Sequence, residues 1–256
     1  MFPVLFESSG FPLPTWHVFF VFGVILGFLL FTKLSSGSIG LVDTKLICAT
    51  SYITGILGAR WFSVLVEENH ETWLDYLIAM TSLGSVTFYG GAVSGALSLY
   101  FFCRIRGISP ALLVDLAIPA LMLGLSFGRI GCLFNGCDYG IPYPDQNQAP
   151  WWAFPIPVLN DGVYRYPVQL YEALIALNLA FITYFMTSSG NFKRGLAGSV
   201  GICGYAVARF FLEFIRGDYR GFSHLFFSPS QIISVSIVLF LFFITVFHEK
   251  TVSSSS

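Results

Sequence analysis

Charge is what this sequence has least of. Lys and Arg number 13 and Asp and Glu 14, so only 11% of 256 residues are charged, against about 25% in an ordinary soluble domain. That is too little polar surface to coat a water-soluble globule of this size. No run of Lys or Arg occurs and the formal net charge is -1, which leaves no footprint for nucleic acid. Five cysteines in an apolar chain are not a disulfide framework, and no CxxC pair of the zinc type is present. Haem, flavin and nucleotide motifs are missing too, so no cofactor and no metal are expected. What fills the chain instead is hydrocarbon: 55% hydrophobic residues, 28 of them Phe, with mean hydropathy +0.73. The sequence reads as an all-α integral membrane protein.

A bilayer core of about 30 Å needs some 20 apolar residues per helical crossing. Stretches of that kind lie near 16–32, 44–66, 87–103, 110–130, 168–187, 196–216 and 229–247, giving about seven transmembrane helices. A weaker stretch at 73–83 reads as a short interfacial or re-entrant helix. The first span has no basic region before it and "VILGFLLFTKLSSG" offers no cleavage site, so it is expected to stay attached. Internal repeats and coiled-coil patterns are missing, and 1–256 reads as a single membrane-embedded domain. Lys33, Lys45, Arg104, Arg106, Lys193, Arg194 and Lys250 fall on one side, which the positive-inside rule makes cytoplasmic. Glu67, Glu68, Glu71 and the long segment 137–166 fall on the other. The N-terminus is thereby placed outside and the C-terminus in the cytoplasm.

Several charges nevertheless sit inside the spans. Arg60 lies in "GILGARWFSV", Arg129 near the outer end of its span and Glu172 just inside the next. Arg209, Glu213 and Arg216 follow i, i+4, i+7 spacing and are expected to line one helix face. A charge at mid-bilayer costs about 2.5–3.5 kcal/mol, so each needs a partner or a wet cavity. Arg209–Glu213 can be a structural ion pair joining helices. Four arginines against two glutamates, however, leave positive charge over. Near the outer leaflet, the phosphate of a phospholipid would neutralise it, and arginine grips phosphate with a planar donor fork. A phosphate-binding cavity is the expectation.

Gly91 and Gly95 in "YGGAVSGAL" stand four apart, a spacing common where membrane helices pack closely. Adjacent Gly90 and Gly91 suggest a broken helix start whose free N–H groups face an anion. Segment 137–166, with "YPDQNQAPWWAFPIPVLNDGVYRYP", is rich in proline and aromatics and does not span. Trp151 and Trp152 suit interfacial anchoring, and the segment's length suits either a lid over a site or a belt at the interface. Gln169 and Glu172, three apart on one helical face, are placed to reach Arg60 or Arg129.

Taken together, these pieces resemble the prolipoprotein diacylglyceryl transferase family. "FGRIGCLFNGCDYG" (127–140) is similar to its GR-(I/L)-GN-(F)-(I/L)-NGE-x-(W/Y)-G signature. "LGAR" (57–60) is similar to its GGR, "FYGG" (88–91) to FHGG, "YPVQLYEAL" (166–174) to HPSQLYEAL, and "ARFFLEFIRGD" (208–218) to its arginine–glutamate–arginine stretch. "SPSQIISV" (228–235) resembles the opening of its last span. Order and spacing agree along nearly the whole chain.

The resemblance implies transfer of diacylglyceryl from phosphatidylglycerol to the thiol of a lipobox cysteine in a secreted preprotein, with release of glycerol phosphate, at the bacterial inner membrane. It implies that Arg129 and Arg209 act on the head group, with Glu213 orienting Arg209 and Arg216 supporting. Gly131, Asn135 and Gly140 keep the family pattern, and Arg60, Gln169 and Glu172 join the substrate-binding set. The departures fall on proton handling. Tyr89 stands where the family has histidine, and a tyrosine with pKa near about 10 is a poor base at neutral pH. Cys132 and Cys137 replace an asparagine and a glutamate. His17 can supply an imidazole or can be an interfacial histidine without a role. The two cysteines can pair as a disulfide, pack as small residues, or accept the lipid themselves. Three functions stay open: the transferase itself, an enzyme with the same donor and another acceptor, and a non-catalytic phospholipid binder or transporter.

Overall fold

The computed structural model describes residues 4–8, 11–66, 71–82, 87–155, 161–218 and 227–253. Glu67 and Glu68 lie outside the described residues. A short hairpin opens the chain, β1 (Val4–Ser8) against β2 (Phe11–Pro14). Then come α1 (Thr15–Ser35), α2 (Leu41–Val66), α3 (Trp73–Thr81), α4 (Phe88–Arg106) and α5 (Pro110–Asn135). After a loop carrying β3 (Phe154–Pro155) and β4 (Tyr164–Arg165) follow α6 (Val168–Ser189), α7 (Leu196–Leu212) and α8 (Pro229–Ser253). Seven of these helices coincide with the seven apolar stretches, and α3 with the weaker one. Among the described residues, four helices are long and apolar enough to cross a membrane by length and composition: Thr15–Ser35, Pro110–Asn135, Val168–Ser189 and Leu196–Ile215.

Helix is the form these stretches must take where water is missing, because it satisfies every backbone group within the segment. The ends are set by local chemistry. At α3, Asp75 N–H donates to Thr72 Oγ1 (3.3 Å) and Thr72 N–H to Asp75 Oδ2 (3.1 Å), a reciprocal cap. Ser228 and Gln231 do the same for α8, at 3.3 and 3.0 Å, with Pro229 in the first helical position where its missing N–H costs nothing. Gly107 and Gly190 stop α4 and α6 in the left-handed conformation.

Burial is inverted relative to a soluble protein. Val21, Leu29, Ile53, Leu65, Phe101, Phe185, Phe211 and Phe240 are exposed, whereas Arg60, Asp115, Gln169, Glu172 and Glu213 are buried. Leaving such side chains in water costs about 1.5–3 kcal/mol each. These eight alone would cancel the roughly 5–15 kcal/mol of net stability that a domain has. Lipid, not water, is the solvent that this surface fits.

The chain divides into two compact units. One comprises residues 32–113, the other 1–31 with 114–256. In the smaller, α2 packs along α4 through small residues. A methyl placed on Gly58 would lie 2.0 Å from Ser94 Oγ, and one on Gly90 2.3 Å from Phe62 Cβ. At the expected helix start α4 begins at Phe88, Gly91 N–H donates to Thr87 O (3.4 Å), and both glycines stand in close packing against α2. Arg60 belongs to this unit. Its Nη2 donates to Ala79 O at 2.8 Å and its Nε to Ser82 O at 3.2 Å, binding α2 to the end of α3.

In the larger unit α7 packs against both α6 and α8. Asp115 is buried and caps α7 from outside, accepting from Gly195 N–H (2.5 Å) and Gly198 N–H (2.7 Å). An anion at a helix N-terminus satisfies orphan donors and meets the positive end of the dipole. Asp115→Ala leaves both N–H groups without that acceptor. It is expected to cost about 1–3 kcal/mol, read as a lowered melting temperature of the protein in detergent, with Asp115→Asn falling between the two.

Candidate active site

The site grows from the end of α5. "GCLFNGC" stops the helix with Asn135 as its last residue and Gly136 at φ +80°. Both Gly136 N–H (2.9 Å) and Cys137 N–H (3.2 Å) donate to Cys132 O. The Cys137 bond is the six-to-one bond of a Schellman ending and the Gly136 bond the five-to-one bond of an αL cap; together they fold the chain back and set residue C″ beside residue C3. Here those residues are Cys137 and Cys132. Asp138 follows in the left-handed region (φ +57°), so its carboxylate returns alongside the last turns of α5.

There it meets Arg129, whose Nη1 lies 2.6 Å from Asp138 Oδ2. Arg129 Nε is 3.1 Å from Glu172 Oε1 on α6, and the Tyr205 hydroxyl of α7 donates to that same oxygen. Glu172 is 1% exposed. Gln169, one turn earlier, donates from Nε2 to Cys137 O at 2.5 Å. The end of α5 is thereby fastened to α6, and through Tyr205 to α7.

Residues 139–141 pair with 215–217. Ile141 N–H donates to Ile215 O and Gly217 N–H to Tyr139 O, both at 2.9 Å, with Gly140 opposite Arg216. This carries Arg216 to the other oxygen of Asp138, with which it pairs through Nη2. Arg216 also grips Asp218 in a fork, Nε to Oδ1 at 2.5 Å and Nη2 to Oδ2 at 2.7 Å. Seven residues back, Arg209 Nη1 lies 3.1 Å from Glu213 Oε2, and its Nη2 is 3.5 Å from Ser230 Oγ. Glu213 is 2% exposed.

Two expectations change. The i, i+4, i+7 face ends early, because α7 stops at Leu212, Glu213–Ile215 tightens into a 3₁₀ turn, and Arg216 is extended (φ -84°, ψ 137°). Arg209 and Glu213 keep their helical pairing, while Arg216 leaves it for the bridge with Gly140. The surplus of positive charge also disappears. In this unit Arg129, Arg209 and Arg216 face Glu172, Glu213, Asp138 and Asp218, and the two aspartates come from loops outside the spans.

The other expected residues fall as follows. Gly131 faces α1, where an added methyl would lie 3.2 Å from Trp16 O. The Asn135 side chain bonds Cys137. His17 is exposed at the start of α1 with its ring edge-on to Trp16, centroids 5.0 Å apart. Tyr89 lies on α4, and its side chain lies outside the described residues. All five cysteines are free. Three contributors were not expected: Asp138, Asp218 and Tyr205. Tyr205 stands one turn before Arg209, so helical spacing alone could have placed it on the same face. The "NG" helix stop could have announced that the next carboxylate turns back.

The Cys132 and Cys137 sulfurs and an Asp138 carboxylate oxygen lie within 4.8 Å of one another, a spacing that could hold a metal ion. Both Asp138 oxygens are already taken by guanidinium groups, however, and that neighbourhood repels a cation. The Cys137 thiol is pushed down to about 7, chiefly because Cys132 hydrogen-bonds it, against the opposing pull of burial. What the arrangement can do is hold an anion between Arg129 and Arg216 beside an easily ionised thiol.

Segment 137–166 is built onto this frame. Tyr143 N–H donates to Tyr164 O (2.8 Å), Gln146 closes the loop onto Tyr143 O and Tyr164, and β3 pairs with β4. Trp152 lies between the rings of Tyr143 and Tyr171, while Trp151 is 94% exposed. Residues 156–160 lie outside the description.

Residues 3–247 match the family described as prolipoprotein diacylglyceryl transferase. Among similar proteins, the phosphatidylglycerol–prolipoprotein diacylglyceryl transferase of Clostridium tetani is 29% identical over 254 residues, covering 97% of this chain and 99% of that one. Transferase 2 of Clostridium perfringens is 32% identical over 249 residues, 92% and 91% of the two chains. The transferase of Wolbachia pipientis wMel is 29% identical over 245 residues, 93% and 91%.

Gly140 tests the frame. A methyl there would sit 2.4 Å from Tyr166 O and 2.8 Å from Tyr166 Cβ, so backbone must move, whereas one on Gly128 meets nothing within 4 Å. Gly140→Ala is expected to lower the melting temperature in detergent by several degrees, in line with overpacking of about 1–3 kcal/mol. Gly128→Ala should leave it unchanged or raise it slightly.

Proposed function

The chain belongs to the prolipoprotein diacylglyceryl transferase family, and on that premise we propose that it moves diacylglyceryl from phosphatidylglycerol to the cysteine thiol of a prolipoprotein, the activity in its relatives' names. Sulfur attacks the glyceryl carbon that bears the phosphate oxygen. The C–S bond forms as the C–O bond breaks, glycerol phosphate leaves, and a base takes the thiol proton.

One observation carries this reading: Arg129 and Arg216 clasp the two oxygens of the single Asp138 carboxylate. Guanidinium groups spaced for two oxygens of one anion are spaced for two oxygens of a phosphate. The lipid phosphate takes the place of Asp138 between the two arginines. As the C–O bond breaks, charge grows on that phosphate and the two arginines hold it more strongly than in the ground state. Glu172 and Tyr205 keep Arg129 aimed, Glu213 does the same for Arg209, and Gln169 fixes the turn that carries Asp138.

The rest of the assignment belongs to the same proposal. The chain works as one domain with seven crossings of the bacterial cytoplasmic membrane, N-terminus outside and C-terminus inside. Segment 137–166 covers the site from the outer face and meets a lipobox peptide. A second reading keeps the donor and changes the acceptor, and it draws support from Tyr89, Cys132 and Cys137 standing where the family pattern has histidine, asparagine and glutamate.

Purified protein given phosphatidylglycerol and a lipobox peptide is expected to yield a diacylglyceryl mass gain on the peptide cysteine and free glycerol phosphate. Arg129→Ala should lower that rate by roughly 100-fold or more, with Arg129→Lys recovering only part because the planar fork is lost. Asp138→Asn removes the competing charge and is expected to lower KM for the lipid. Lipid binding without peptide product shifts the reading to another acceptor, and full activity in Arg129→Ala sinks the phosphate assignment.

A further inference from the structure

From the way α5 ends, we infer that Cys132 and Cys137 form a redox-active dithiol, a modification site that closes to a disulfide by exchange with a small-molecule or protein disulfide. The argument starts from the helix stop. In a Schellman ending the side chains of C3 and C″ meet, usually as an apolar contact. Here both are cysteines, and the backbone bonds from Gly136 and Cys137 to Cys132 O (2.9 and 3.2 Å) fix them in that relation. Their sulfurs lie within 4.8 Å of each other while unbonded. Closure brings together two sulfurs that the helix ending already holds as neighbours.

The two thiols are also unequally placed. Cys132 is buried in the last turn of α5, and Cys137 is half-buried in the turn beyond it. The Cys137 thiol is the one whose ionisation is eased, through its hydrogen bond with Cys132 and a further bond from Asn135, and the thiolate is the attacking form. Cys137 therefore attacks first. Its sulfur displaces one half of the incoming disulfide, giving a mixed disulfide at Cys137 and one released thiol. Cys132, after losing its proton, attacks the Cys137 sulfur and expels the second thiol. Two cysteine thiols are oxidised, one external disulfide is reduced to two thiols, and atoms and electrons balance.

The rival use of these sulfurs, as metal ligands with Asp138, is disfavoured because Asp138 is already bound by Arg129 and Arg216. Closure also has a neighbour to act upon. Cys137 O accepts from Gln169, and Asp138 is the next residue, so the redox state of the pair is felt at the carboxylate that joins the two arginines. The dithiol itself does not depend on what that site transfers.

The test uses the full chain in detergent, without lipid or peptide. Protein is equilibrated with mixtures of reduced and oxidised glutathione, quenched, alkylated and digested. The peptide running from Ile130 to Arg165 contains both cysteines. It is expected to pass from two alkyl groups to none, with the loss of two hydrogens, as the mixture becomes more oxidising, and to recover with dithiothreitol. Cys48, Cys103 and Cys203 serve as internal references that remain alkylated. In Cys132→Ser the mixed disulfide with glutathione should accumulate on Cys137, whereas in Cys137→Ser the buried Cys132 should stay free of it. A peptide that keeps both alkyl groups at the most oxidising ratio overturns the inference. So does protection from alkylation without loss of hydrogens that a chelator reverses, which would mean a bound metal. The unsubstituted protein decides the matter even if a variant fails to fold. Transferase activity is not read, so failure here leaves the proposed function standing.

Discussion

Everything at this site depends on Arg129 having partners. A guanidinium near the end of a membrane helix is costly wherever it lacks a counter-charge, and here it has two, Glu172 from α6 and Asp138 from the turn after its own helix. Glu172 is in turn held by Tyr205 of α7. A single cation thereby dictates how the ends of α5, α6 and α7 come together. The same logic repeats at Arg216, which draws Asp138, Asp218 and the 139–141 segment into one arrangement.

Such a network is both structural and chemical, and the two roles share a cause. Buried ion pairs are poor sources of net stability, because desolvation consumes most of what the charges return. Retaining three arginines and four carboxylates in one region makes sense where an anion is to be exchanged in. A carboxylate shared by two guanidinium groups is a good placeholder for that: it keeps the donors apart from each other, and a phosphodiester, which also spreads one negative charge over two oxygens, can replace it. Because each guanidinium already has a carboxylate partner, the cluster suits a site that must exist in a membrane before its ligand arrives.

Much of the fold was legible in the sequence. Seven apolar stretches became seven helices at nearly the same residues, since hydrophobic length is a one-dimensional property. Arg129, Glu172, Arg209 and Glu213 were recognisable as functional candidates because charge inside an apolar run is conspicuous. Arg209–Glu213 forms as spacing suggested; of Arg60 and Arg129, both open as partners, Glu172 takes Arg129, while Gln169 bonds Cys137 O and neither arginine. Asp138 and Asp218 were not recognisable, because a carboxylate in a polar loop looks ordinary until the loop is folded back. Arg216 was placed on a helix that ends before it, since nothing in "LEFIRGD" warns that the turn tightens at Glu213.

The sequence by itself determined where helices run, that lipid must surround them, and which charges stand inside. It could do so because these depend on composition over a window and on local stops such as Asn135–Gly136. Only the tertiary structure decided which charges neutralise which. That follows from three returns of the chain: the Schellman ending that turns Asp138 back, the pairing of Gly140 with Arg216, and the packing of α6 and α7 that brings Glu172 and Tyr205 to Arg129. Electrostatic partnership falls off within a few ångströms, so it belongs to neighbours in space, and residues 129, 138, 172, 205 and 216 become neighbours only on folding.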